Sequence, residues 1–194
     1  GRAAPAPAPL PDEAAMTLAQ HPIPRPQADE YAPYFAQYLA KVPDGDLLDL
    51  LEAQWEELGC LLEDLDDEAA DFRYAEGKWS VKEVLGHILD AERIFAYRLL
   101  RIARADPTPL AGFDENAYVA AAGFQARPLE SLLEEYDLVR GHTLALLRGL
   151  DADCFRRSGT SNGKPVSARA LAWLIAGHER HHMGVLKERY LPSF

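Results

Sequence analysis

The chain has 194 residues, 48% of them hydrophobic, enough for one sizeable core and hence one domain. Its formal net charge of −11 argues against nonspecific binding to DNA or RNA, which depends on Lys and Arg neutralising phosphates. No apolar run approaches the roughly 18 residues of a transmembrane helix, so no membrane span is expected.

Residues 1–28 carry Ala-Pro repeats and the run His21-Pro22-Ile23-Pro24-Arg25-Pro26. Alternating prolines exclude helix. The stretch is expected as an arm, draped on the surface or disordered, ahead of a domain over residues 29–194. It lacks a charged segment followed by an apolar one and does not read as a signal peptide. Cys60 and Cys154 make no disulfide framework, so a reduced, cytoplasmic protein is expected. Tyr31, Tyr34, Phe35, Tyr38 and Leu39 then form an aromatic stripe suited to a short helix packed on the main body.

Four long amphipathic patterns follow. The first, about 45–66, aligns Leu47, Leu48, Leu51, Trp55, Leu58, Leu62 and Leu65. The second, about 80–105, opens on the capping box Ser80-Val81-Lys82-Glu83 and stops before Asp106-Pro107. The third, about 128–150, has Pro128 near its first turn and buries Leu132, Tyr136, Val139 and Leu147. The fourth, about 167–190, follows an Asn162-Gly163-Lys164-Pro165 turn and a Ser167 cap. Nothing alternates as a strand would. The pattern predicts an all-α four-helix bundle. The link at 106–127 is too long for a tight hairpin, so helices adjacent in sequence need not be antiparallel.

The chemistry concentrates in His178-Glu179-Arg180-His181-His182. On a helix, His178 and His182 share one face, with Cβ atoms roughly 5–6 Å apart, close enough for one metal ion. They fall in phase with the apolar residues Leu171, Leu174, Ile175, Val185 and Leu186, so they point inward. Many such pairs are merely solvated or hydrogen-bonded in a core. Two buried imidazoles without partners would be costly, however, and this favours a ligand pair. His87, on the second helix, is the candidate third ligand. Three protein ligands with a position left for water make the catalytic kind of zinc site. His181 points about 100° away from His182 and is expected outside the site. His21 and His142 are expected at the surface. Asp90, one turn after His87, would either orient that ring or be a solvated helix residue.

The segment also matches the H-E-x-x-H pattern of zinc proteases, with Glu179 as general base. Those enzymes draw a third ligand from downstream. Residues 183–194 contain no His, and Glu179 projects away from the His178–His182 face. No positioned acid or base is evident, so the catalytic residues remain unassigned. Trp55, Trp79 and Trp173 are expected to serve packing.

Several motifs together resemble those of the DinB/YfiT-like family of metal-dependent enzymes. Gly77-Lys78-Trp79-Ser80-Val81-Lys82-Glu83-Val84-Leu85-Gly86-His87, continued by Asp90-Ala91-Glu92-Arg93, is similar to its first motif. Gly112-Phe113-Asp114-Glu115-Asn116 is similar to its interhelical segment, and Gly177 to His182 to its C-terminal motif. The resemblance implies a four-helix bundle with crossed, up-down-down-up connectivity. It also implies one divalent ion, zinc or nickel, on His87, His178 and His182, and a homodimer. Members of the family include metal-dependent hydrolases and thiol S-transferases that use a low-molecular-weight thiol such as bacillithiol, and some are induced by DNA damage. The expectation is thiol-dependent transfer to a small electrophilic substrate. The alternatives are hydrolysis through metal-held hydroxide and a noncatalytic metal-binding stress protein.

Overall fold

The computed structural model describes residues 22–191. Eight α-helices are present in that span: α1 (Ala36–Leu39), α2 (Leu47–Leu62), α3 (Asp67–Asp71), α4 (Val81–Ala103), α5 (Glu115–Ala122), α6 (Leu129–Arg148), α7 (Ala152–Arg156) and α8 (Ala168–Val185). A π-helical turn, Leu186–Tyr190, extends α8. Between α7 and α8 lies one hairpin, β1 (Ser158–Ser161) and β2 (Lys164–Ser167), with Ser158 opposite Ser167 and Ser161 opposite Lys164.

The long helices begin where their capping groups place them. Asp46 accepts a hydrogen bond from Leu48 N at 2.9 Å to start α2. Ser80 and Glu83 exchange bonds with each other's backbone in the expected box at the start of α4. Ser167 accepts from Ala170 N to start α8. The first helix is shorter than its apolar pattern, because Asp66 accepts from Ala69 N and starts α3 instead of continuing α2. α4 ends where Ala105 takes φ 58°, just ahead of Asp106-Pro107.

α2, α4, α6 and α8 form the bundle, and their order around it differs from their order in sequence. α2 and α4 each pack against α6 and α8. Trp55 Nε1 donates to Asp137 and Arg148 pairs with Glu52, so α2 and α6 run antiparallel. Gln54 donates to Ala176 O and Lys187 pairs with Glu57, so α2 and α8 run parallel. The starts of α4 and α6 share one apolar cluster, through Val81, Leu85, Leu129 and Leu132. Their ends share another, through Leu99, Ile102, Leu144 and Leu147. These two helices are therefore parallel to each other and opposed to α2 and α8. This is the up-down-down-up arrangement, and the 104–128 connection carries the chain back along the bundle. Among the described residues no helix is long and apolar enough to cross a membrane.

One feature differs from expectation, and for part of the arm one of the two expected alternatives is seen. The hairpin is absent from the sequence pattern, in which only its Asn-Gly turn is legible. Residues 22–28 of the expected arm lie against the bundle: Ile23 is buried, its carbonyl accepts from Trp173 Nε1 at 3.1 Å, and the Arg25 guanidinium stacks 4.5 Å from the Trp173 ring. Arg25 also donates to the carbonyls of Leu39 and Val42. A proline-rich segment needs no helix to dock, because one apolar side chain and one cation can anchor it. Residues 1–21 of that arm lie outside the described residues.

Candidate metal centre

α4 and α8 bring three histidines together. His87 comes from the second turn of α4; His178 and His182 come from successive turns of α8. His87 Nε2 lies 3.0 Å from His178 Nε2, which lies 3.2 Å from His182 Nε2. One ligand atom from each falls within 4.8 Å of the others. His181 is outside this group, its ring set edge-on to Tyr38 with centroids 5.2 Å apart. His142 is exposed.

A glycine precedes two of the three ligand candidates, and each lets another element come close. A Cβ on Gly177 would sit 2.6 Å from Tyr38 O, so the glycine allows α1 to lie directly on α8. A Cβ on Gly86 would meet the Phe124 ring at 2.4 Å. Aromatic rings also cover the site: Tyr38 lies over His178, with centroids 5.7 Å apart, and Trp79 lies over His87 at 4.8 Å. Trp79 thus covers a ligand candidate, a role beyond the simple packing expected of it.

Burial keeps the rings neutral. It lowers the His87 pKa to about 4, with Glu115 opposing and His181 reinforcing. Burial, then the neighbouring histidines, holds His178 and His182 well below the ordinary range. A neutral imidazole nitrogen carries either one proton or one lone pair. His178 Nε2 therefore cannot satisfy both neighbours by hydrogen bonding. Three lone pairs converging on one cation resolve the conflict. Nitrogens held at 2.0–2.1 Å from an ion stand roughly 3–3.4 Å apart, which suits the observed spacing.

Glu179 is committed elsewhere. It is buried, accepts from Tyr136 Oη at 2.8 Å and pairs with Arg140, so it cannot act as the base of a zinc-protease site. Arg140 also clasps Glu92, through Nε at 3.0 Å and Nη2 at 2.8 Å. Asp90 pairs with Arg93 at 3.8 Å and, among the described residues, forms no hydrogen bond to His87. Burial raises its pKa, against the opposing charge of Arg93.

A cavity of about 340 Å³ opens onto His87 and His178. Its walls include Tyr38, Phe95, Phe113 and Val166, and it carries Arg98, Glu115 and Lys164. Among the described residues, Glu115 is the only carboxylate residue in that lining. Its negative charge acts on both His87 and Tyr38. Sequence reasoning singles out neither Glu115 nor Arg98 as a site residue. The first sits within a capping segment and the second reads as an ordinary helix charge. The hairpin forms part of the wall, held to the preceding loop by Leu110 N to Thr160 O and Asn162 N to Leu110 O, both 2.9 Å.

Comparison with known proteins agrees with this architecture. The family model of the DinB superfamily matches residues 50–186. Two Oceanobacillus iheyensis proteins, each bearing the name "putative metal-dependent hydrolase", are similar to it. One is 26% identical over 150 residues, covering 72% of this chain and 86% of that protein. The other is 24% identical over 140 residues, covering 71% and 79%. YfiT from Bacillus subtilis, described as a probable metal-dependent hydrolase with an unusual four-helix bundle topology, superimposes with a TM-score of 0.69. It has 20% identity, and 87% of this chain and 93% of that one are covered.

Proposed function

Because this chain belongs to the DinB superfamily, whose model spans most of its length, we propose that it is a metal-dependent hydrolase of small molecules. His87, His178 and His182 hold the ion. The observation that carries this reading is the convergence of three neutral Nε2 atoms, two of them on residues that line a cavity. Zinc and nickel both suit imidazole nitrogen. Bound there, such an ion would supply Lewis acidity and bring the pKa of a water to about 7.

The chain's own residues supply the remainder. Trp79 and Tyr38 flank the imidazoles and exclude bulk water from their faces. Glu115, a carboxylate in the cavity lining, would accept a proton from the attacking water and return it to the leaving group. The apolar walls hold the substrate body.

The test combines metal analysis with ester hydrolysis. Replacing His87, His178 or His182 with Ala should remove both stoichiometric metal and turnover. Glu115→Gln should keep the metal and lose about 10²-fold or more in kcat, the usual weight of one positioned proton-transfer group. Full metal content in His87→Ala would refute the three-histidine site. Unchanged kcat in Glu115→Gln would remove that residue from the chemistry. Turnover that appears only when a low-molecular-weight thiol is added would move the protein to the S-transferases.

A further inference from the structure

Three cationic side chains are buried among the described residues: Lys82, Arg98 and Arg140. Lys82 is paired with Asp71 at 2.9 Å, and Arg140 with Glu92 and Glu179. Arg98, only 6% exposed, has no carboxylate partner among the described residues. Its one hydrogen bond there runs from Nη2 to Ala111 O at 2.6 Å, and its guanidinium lies 5.6 Å from the Phe113 ring centroid. A guanidinium carries five donors; those not used on Ala111 have no protein acceptor among the described residues, yet are not sealed from solvent, because Arg98 lines a cavity. A buried charge without a counter-ion is expensive. A site that retains one is shaped for an anion that arrives from outside.

The position of Arg98 says which site. It lines the same cavity as His87 and His178. On α4 it follows His87 by about three turns, so the two side chains leave the helix on nearly the same face, with Cα atoms about 16 Å apart along the axis. Phe95 and Phe113 also line the cavity. The cavity thus joins neutral imidazole nitrogens to the buried Arg98 cation along aromatic walls, with Glu115 and the exposed Lys164 also in its lining.

We propose that the substrate is a small organic anion, an aromatic or similarly apolar body whose terminal carboxylate is bound by Arg98 while its reacting group lies at the histidines. Arg98 sets specificity and takes no part in bond breaking. The choice of an ester as reporter rests on the hydrolase reading above; the binding of the anion does not.

The experiment pairs 4-acetoxybenzoate and 3-(4-acetoxyphenyl)propanoate with their neutral carboxamides, using the metal-loaded protein. The wild type should prefer at least one carboxylate over its amide by about tenfold to a hundredfold in kcat/KM, the range of a charge-assisted Arg–carboxylate contact. Arg98→Gln should bring the acid-to-amide ratio of kcat/KM close to one, and Arg98→Lys should keep part of the preference. In parallel, 3-phenylpropanoate and its amide are titrated calorimetrically into metal-loaded and chelator-treated protein, because a carboxylate can also ligate an ion directly. Binding of the acid alone, retained without metal and lost in Arg98→Gln, supports the proposal even if no ester is cleaved; the hydrolase reading would then fail by itself. Arg98 also borders a shallower groove beside Tyr97 and Tyr118. Competitive inhibition of amide-ester turnover by 3-phenylpropanoate supports the cavity, and noncompetitive inhibition overturns it. Equal turnover of acid and amide by the wild type, or binding that needs metal and ignores Arg98, overturns it as well. The wild-type comparison stands whether or not Arg98→Gln folds.

Discussion

His178 and His182 are legible from spacing alone, because i,i+4 imidazoles in phase with Leu171, Leu174 and Ile175 must face the core together and share a partner there. His87 is not. A single histidine among the apolar residues of a helix carries no periodic signal, and only the motif around it marks it. Arg98 and Glu115 are invisible in the sequence, because a charge on an amphipathic helix or beside a cap looks the same whether it faces water or a cavity. The three histidines also make stability depend on pH. Their folded pKa values lie below the unfolded value of about 6.5: His87 at about 4, the other two well below the ordinary range, all by burial first. The unfolded chain therefore binds protons that the folded one refuses as pH falls through 6.5, and stability present above that value is lost below it. Chelator-treated protein should lose thermal stability from about pH 7 to about pH 5.5, a window in which ordinary carboxylates stay ionised. His178→Ala should show a shallower slope. Equal slopes in variant and wild type would mean that the rings are protonated in the folded state.

At the level of elements, helices can be read from the sequence where period and cap agree. The box at Ser80 and Glu83 and the cap at Ser167 mark two helix starts that the structure reproduces. The hairpin is hidden because each strand has four residues, Ser-Gly-Thr-Ser and Lys-Pro-Val-Ser, too short and too polar to alternate. Only Asn162-Gly163 announces it, and the structure shows why: both residues take positive φ, 50° and 69°, as a two-residue hairpin turn demands. The turn helps wall the cavity through Asn162 and Lys164. Gly163→Ala should cost roughly 1–2 kcal/mol, the penalty of a Cβ in the left-handed region. That corresponds to a fall of several degrees in melting temperature for a chain of this size. Metal content should be unchanged, since no ligand lies on the hairpin, whereas kcat/KM should drop as the wall loosens. Loss of metal in this variant would show that the hairpin supports the histidines directly.

The connectivity of the whole molecule is only half legible in the sequence. The long link between the second and third helices permits a crossover, but its direction follows from resemblance, not from residues. The bundle centre is not legible at all, because Glu92, Arg140 and Glu179 are far apart in sequence and each looks like a polar-face charge. Folded, Arg140 is fully buried on α6 and joins all four helices: it donates to Leu51 O on α2 at 2.9 Å, grips Glu92 on α4 and pairs with Glu179 on α8. Burial works against its charge, yet Glu92 and Tyr136 outweigh that and raise its pKa. Glu179 adjoins His178, so the clasp also fixes the rotation of α8 that turns the imidazoles toward the cavity. Removing the cation alone would strand two buried carboxylates. Arg140→Met should therefore cost about 3–5 kcal/mol in urea unfolding. The triple variant Arg140→Met, Glu92→Leu, Glu179→Leu leaves no unpaired charge and should recover most of that loss, because well-packed apolar groups replace buried ion clusters at little or no net cost. A single variant that unfolds at the wild-type urea midpoint would mean that the clasp does not hold the four helices together. A triple variant no more stable than the single would mean that packing around Arg140, rather than the stranded charges, accounts for the loss.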